Sequence, residues 1–147
     1  MPSYTTGSLD YIYVAMKDQV ADHLKTVTTT LHNELMAGTP VHSGEAVAAW
    51  IASDTPTSAR PKHSTAGDPG PTSGMALGSE PRRAANEAIA RQSLATVDFA
   101  TADVVYIQNH APHIIALEYG ELPSEEKNRT PPLGIVATAI QRTLSKT

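Results

Sequence analysis

Cysteine is absent from the 147-residue chain, which removes disulfides, thiolate metal sites and cysteine nucleophiles together. Aromatic residues are scarce at 5%, and Phe99 and Trp50 stand alone in their kinds. Much of the 40% apolar fraction is alanine, which buries little area, so the core stabilises only modestly at roughly 25 cal/mol per Å². Neighbouring subunits are expected to add to it. No apolar run approaches the roughly 18–20 residues that cross a bilayer. The first residues also lack a basic segment followed by an apolar one, so synthesis and residence in the cytoplasm, away from any membrane, are expected. Excess positive charge is missing too: the net charge is −4 and the pI about 5.8, and nothing draws nucleic acid by bulk electrostatics. The acidity is concentrated in residues 1–55, with two bases against six acids.

What is present reads as a single domain over residues 1–147, with residues 1–8 a loose tail. Ser8 is placed as an N-cap with Asp10 in the first turn. From Leu9 to Met36, Ile12, Met16, Val20, Leu24, Val27, Leu31 and Leu35 recur at spacings of three and four, the stripe of one long helix. Gly38 and Pro40 stop it. Ala46 to Ser53 reads as a helical turn leading into a strand at about 49–54, with Trp50 plugged into the core against the long helix. Thr55 to Gly78 is rich in proline, glycine, serine and threonine; it is either a solvated linker or an arm that orders against another subunit.

A second helix is expected from Glu80 to about Thr96, capped by Ser79, with Glu87 and Arg91 as an i,i+4 pair. Arg82 and Arg83 are assigned to its solvated face. Val97 to Phe99 is expected as an edge strand, and Val104 to Gln108 as a buried one. A turn at Asn109 and Pro112 leads to a short helix that ends at Tyr119 and Gly120. Glu121 to Arg129 is a charged loop, and a last helix spans Gly134 to about Leu144, with Ile135, Val136, Ala139, Ile140 and Leu144 as its apolar face. The fold class is α+β: a long N-terminal helix and two further helices packed on a small mixed or antiparallel sheet.

His110, His113 and Glu118 invite a metal or hydrolytic reading. The zinc-protease pattern, however, needs two histidines four apart on a helix with a glutamate between them. Here Pro112 separates the histidines and Glu118 lies five residues past the second, so no metal and no cofactor is expected. Ser43 lacks a nucleophile elbow, and the glycines of the middle loop spell no phosphate-binding motif. A half-buried Glu118 carboxylate needs a partner, and an arginine of this or a neighbouring subunit is the expected one.

Three segments carry a resemblance. Thr39-Pro40-Val41-His42-Ser43-Gly44 followed by Trp50 resembles a "TPVDTG…W" pattern. Val105 to Ile114 through Glu118-Tyr119-Gly120 resembles "vyi-N-x-x-P-Y-a…E-Y-G". Pro131-Pro132-Leu133-Gly134-Ile135-Val136 resembles the "aP-x-G-mv" that opens a last helix. In this order, behind a long helix, they resemble the neck and tail-completion proteins of long-tailed phages, from about Leu9 to Leu144. His113 stands where that family has tyrosine, and His42-Ser43 where it has aspartate-threonine.

The resemblance implies a structural virion protein without enzymatic activity, assembled in the host cytoplasm and located at the head–tail neck. It implies a homo-oligomeric ring, a hexamer, that meets other neck, head-closure and tail-tube or terminator proteins while DNA passes through without specific binding. Trp50, Asn109, Pro112, Glu118, Tyr119 and Gly120 become the candidate assembly residues. A tail terminator capping the tube is the alternative in the same class. The rivals from other classes are a small metal-dependent hydrolase using His110, His113 and Glu118, and a cytoplasmic binding module with a disordered central loop.

Overall fold

The computed structural model describes residues 6–40, 44–65, 80–119 and 134–147. Helix α1 (Thr6–Gly38) runs 33 residues, about 50 Å at 1.5 Å per residue. It begins upstream of Ser8, so Ser8 lies within the helix and does not cap it, and residues 6–8 belong to α1 instead of the expected tail. Its far end falls where Gly38 and Pro40 were expected to stop it. There the last carbonyls, left without intrahelical donors, are supplied from elsewhere. The Thr39 hydroxyl donates to the Leu35 carbonyl at 2.6 Å. The Arg83 guanidinium donates to the carbonyls of Met36 and Thr39, both at 3.2 Å. Arg83 is thus a C-terminal cap of α1, and Arg82 is buried. The expectation that both arginines sit on a solvated face is corrected, because their helix crosses the carbonyl end of α1 and that end attracts cations.

Only the second half of α1 packs. Leu35 and Met36 join Val47, Trp50, Leu117 and Ile135 in the core. Thr28 and His32 are buried beside them. The buried side therefore meets the apolar stripe only at Leu35: Leu24, Val27 and Leu31 are half-buried on its flank, and Ile12, Met16 and Val20 stand in solvent.

Helix α2 (Glu45–Ala48) follows Gly44, whose φ of 90° and closeness to Asn86 both exclude a side chain: a Cβ there would lie 2.1 Å from Asn86 Nδ2. Strand β1 (Ile51–Ser53) pairs antiparallel with β2 (Tyr106–Gln108), in the register Ile51 with Gln108, Ala52 with Ile107 and Ser53 with Tyr106. Helix α3 (Glu80–Gln92) tightens into a 3-10 turn over Ser93–Thr96. Glu87 and Arg91 pair at 3.2 Å as expected. Val97 to Phe99 forms no edge strand. Asp98 accepts the Ala100 amide on its side chain at 3.0 Å and the Ala102 amide on its carbonyl at 2.9 Å, which closes a turn.

Helix α4 (Ile114–Tyr119) and helix α5 (Ile135–Lys146) complete the described elements. Helix α5 lies along the second half of α1, where Glu34 meets Arg142 at 3.9 Å and also Lys146. It buries Ile135, Ala139 and Thr143, whereas Val136, Ile140 and Leu144 of its expected apolar face are exposed. The fold is α+β, a long helix and shorter ones around a small antiparallel sheet. No helix among the described residues is long and apolar enough to cross a membrane.

Trp50 is held at both ends. Its indole N–H donates to the Thr39 hydroxyl at 2.8 Å, and its carbonyl lies 2.8 Å from His32 Nε2. Thr39→Val keeps the shape and strands the indole donor in the core, so the chain is expected to lose roughly 1–3 kcal/mol. Thr39→Ser, which keeps the hydroxyl, should lose less. Urea denaturation midpoints of the two variants decide; equal midpoints would show the clasp to be energetically silent.

Candidate functional site

The stretch from Asp103 to Tyr119 is a connector that fastens the other parts of the chain. Beyond β2, Asn109 folds back on itself: its Oδ1 accepts the Ala111 amide at 3.0 Å and its Nδ2 donates to the Ala46 carbonyl at 2.8 Å. That ties the turn to α2. Pro112 and His113 make the next turn, and the Ile114 amide donates to the Ala111 carbonyl at 3.2 Å to start α4.

Glu118 projects from α4 to the start of α5. One carboxylate oxygen, Oε2, accepts the amides of Ile135 at 2.7 Å and Val136 at 3.0 Å. A negative group here answers the positive end of the helix and two of its orphan donors. The expected arginine partner is replaced by backbone. The fit depends on Gly134, at φ 85°, where a Cβ would lie 2.6 Å from Glu118 Oε1 and 2.9 Å from the Glu118 carbonyl. A glycine before the last helix is what the chain needs for so close an approach.

The two histidines hold a different region. His110 Nε2 lies 2.8 Å from the Thr57 carbonyl, while the Thr57 amide donates to Gln108 Oε1 at 2.7 Å. His113 Nε2 is 3.7 Å from Glu45, which also receives Arg60 at 2.7 Å. Arg60's hydrogen bond holds the Glu45 carboxyl below its ordinary value, and the charges of Arg60, His113 and His63 add to the effect against burial. Further along, Asn86 exchanges two hydrogen bonds with the Ser64 backbone, accepting from its amide at 2.7 Å and donating to its carbonyl at 3.0 Å. Residues 55–65 of the expected linker or arm thus dock on their own chain; residues 66–78 lie outside the described residues.

His110, His113 and Glu118 are therefore engaged separately, with Thr57, Glu45 and the α5 amides. Among the described residues, no three His, Cys, Asp or Glu side chains are grouped to hold a metal.

The six candidate assembly residues divide. Trp50 is 4% exposed and sits in the subunit's own core against α1, as expected from its size, bonded to His32 and Thr39 and so off the surface. Asn109 and Glu118 are likewise spent inside the chain. Pro112 and Tyr119 are exposed, and Gly120 lies outside the described residues. The larger surface is elsewhere and was not singled out by residue type: from Leu9 to Val20 every residue of α1 is exposed, among them Leu9, Tyr11, Ile12, Tyr13, Val14 and Met16. A scan of family models, of curated proteins and of solved structures finds no match to this chain.

Two expectations are open to measurement. Glu118→Ala strips the α5 amides of their acceptor and should destabilise the isolated chain by about 1–2 kcal/mol, with loss of helical circular dichroism. Gly134→Ala should be at least as damaging, and Glu118→Gln milder. Unchanged midpoints for both severe variants would mean that α5 is held by packing alone.

His32 supplies the second expectation. Burial lowers its pKa from the ordinary 6.5, outweighing the bond to the Trp50 carbonyl, and Arg91's charge lowers it further. Donating Nε2–H to that carbonyl leaves Nδ1 buried without a hydrogen-bond partner. The unfolded histidine takes up a proton below 6.5 and the folded one resists, so protons favour unfolding. Stability from this group is complete above that value and falls as the pH drops below it, by at most about 1.4 kcal/mol per pH unit. Glu45, with its lowered pKa, acts only below its ordinary 4.5. Unfolding midpoints measured from pH 7 to 5 should decline in the wild type and flatten in His32→Gln; parallel curves would remove His32 as the cause.

Proposed function

We propose that the chain is a structural subunit of the neck of a long-tailed phage, acting as part of a ring at the head–tail junction. The observation that carries this is the exposed apolar half of α1. A contiguous surface of this kind marks an interaction site, and the core holds only the other half of the helix. The resemblance in sequence says which kind of assembly to expect.

The resembling segments also meet in space where they are described. Thr39 bonds Trp50, Asn109 bonds α2, and Glu118 bonds the residues after Gly134. The positions that give the likeness are the ones that join one element to the next, which fits a shared fold. Residues 41–43 and 120–133, which hold the rest of those segments, lie outside the described residues.

Deleting the gene from the phage genome that carries it should leave filled heads and tails unjoined, and supplying the protein should restore joining. Tails of uncontrolled length would point to the terminator position instead. Normal infectious particles after deletion would overturn the proposal.

A further inference from the structure

We infer that residues 57–64 form a releasable strap, which comes away from the folded frame as a unit and docks again without the core unfolding. The strap follows β1 and crosses three separate parts of the chain, each of which fastens it at one point. Beyond β2, Gln108 Oε1 accepts the Thr57 amide at 2.7 Å, and His110 Nε2 lies 2.8 Å from the Thr57 carbonyl. At the start of α2, Glu45 receives the Arg60 guanidinium at 2.7 Å. On α3, Asn86 accepts the Ser64 amide at 2.7 Å and donates to the Ser64 carbonyl at 3.0 Å.

These fastenings are polar and lie at the surface. None of residues 57–64 is buried, and none joins the hydrophobic core. Ala59 and Pro61 are the only apolar residues among them. The Arg60 and Glu45 side chains keep 49% and 24% of their surface in water, where an ion pair adds little. Thr57 and Ser64 are held by both backbone groups, but each of those bonds replaces a bond to water and its net contribution is small. Ordering the segment costs backbone freedom at every residue, and no buried apolar side chain offsets that cost. A segment balanced in this way belongs to the low end of local stability, where opening precedes global unfolding.

The frame beneath is joined without the strap. Asn109 ties the connector to α2 through the Ala46 carbonyl at 2.8 Å. The ladder joins β1 to β2, and the Ala52 amide donates to Ser93 Oγ at 2.9 Å, which ties β1 to the 3-10 turn after α3. Asn86 is also bonded to the Arg82 carbonyl of its own helix at 2.8 Å, and its close approach to Gly44 seats α2 on α3. Opening therefore frees the side chains of Gln108, His110, Glu45 and Asn86 and leaves Trp50 bonded to His32 and Thr39.

Trypsin reads the opening at one bond. Arg60 is followed by Pro61, which blocks cleavage there, so the strap offers a single cut, after Lys62, between the fastenings at Arg60 and Ser64. The full chain is digested in native buffer, and the rate of this cut is divided by that of a synthetic peptide of residues 55–65 under the same conditions. When opening and closing are fast relative to cleavage, the ratio gives the open fraction. The cut should be on the order of 10–100-fold slower than in the peptide, whereas a cut that waits for global unfolding would be slowed by at least about 10³-fold. Glu45→Gln and Gln108→Ala should each raise the ratio by about 2–10-fold with Trp50 emission unchanged. In urea below the unfolding transition the ratio should rise only slightly, because lifting the strap exposes little surface.

A ratio that climbs in urea as steeply as the Trp50 transition would overturn the inference, since the strap would then leave only with the core. A ratio near one would overturn it as well, because the strap would not be docked at all. Rates that neither substitution changes would do the same, since these contacts would not be what holds it.

Discussion

The fold depends on satisfying the carbonyl end of α1 where it enters the core. A helix can end in water at little cost, but here the last turn is surrounded by α2, α3 and Trp50, and each unpaired carbonyl there would carry a desolvation penalty. Thr39 answers one carbonyl with its hydroxyl and then accepts the indole N–H of Trp50 on the same oxygen. Arg83 answers two more from α3. His32, about two turns before Thr39, takes the Trp50 carbonyl. The hydrogen bonds therefore fix where α2 and α3 sit on α1, and the apolar side chains fill in around that placement.

How much of this was legible in the sequence follows from the range of each interaction. The stop of α1 at Gly38 and Pro40, the helical turn before β1 and the Glu87–Arg91 pair are set within a few residues, and local spacing predicts them; the start of α1 at Thr6 and the pairing of β1 with a strand more than fifty residues away are not. The face that α1 buries was not legible. Ile12 to Leu35 form the better apolar stripe, yet of it only Leu35 is buried, and Thr28, His32 and Met36 line the core beside it, with the bond between His32 and the distant Trp50 carbonyl compensating the imidazole there.

The same holds for Glu118. Its sequence neighbourhood shows a carboxylate among isoleucines and leucine, and the natural inference is a cationic partner. That its partners are the amides of Ile135 and Val136 depends on a chain reversal beyond the reach of periodicity. The glycine at 134 was the available signal, a residue placed before a helix where no capping side chain stands. Val97 to Phe99 failed as a strand for a local reason, the competing turn made by Asp98. His110 and His113 suggested ligation by type, but their neighbours Thr57 and Glu45 come from more than fifty residues upstream.

The clasp also gives the molecule one optical reporter at a known depth. Trp50 is the sole tryptophan, almost wholly buried at the seam between α1 and α2, and it contacts an imidazole and a hydroxyl instead of water. Emission excited beyond the tyrosine band therefore arises from that seam alone. The first half of α1 contains Tyr11 and Tyr13 but no indole, so events on that half leave the tryptophan signal unaltered unless they reach the seam. The closing of the core and changes on the exposed half of α1 thus have separate spectroscopic channels in the unmodified chain: indole emission follows the first, and tyrosine signals include the second.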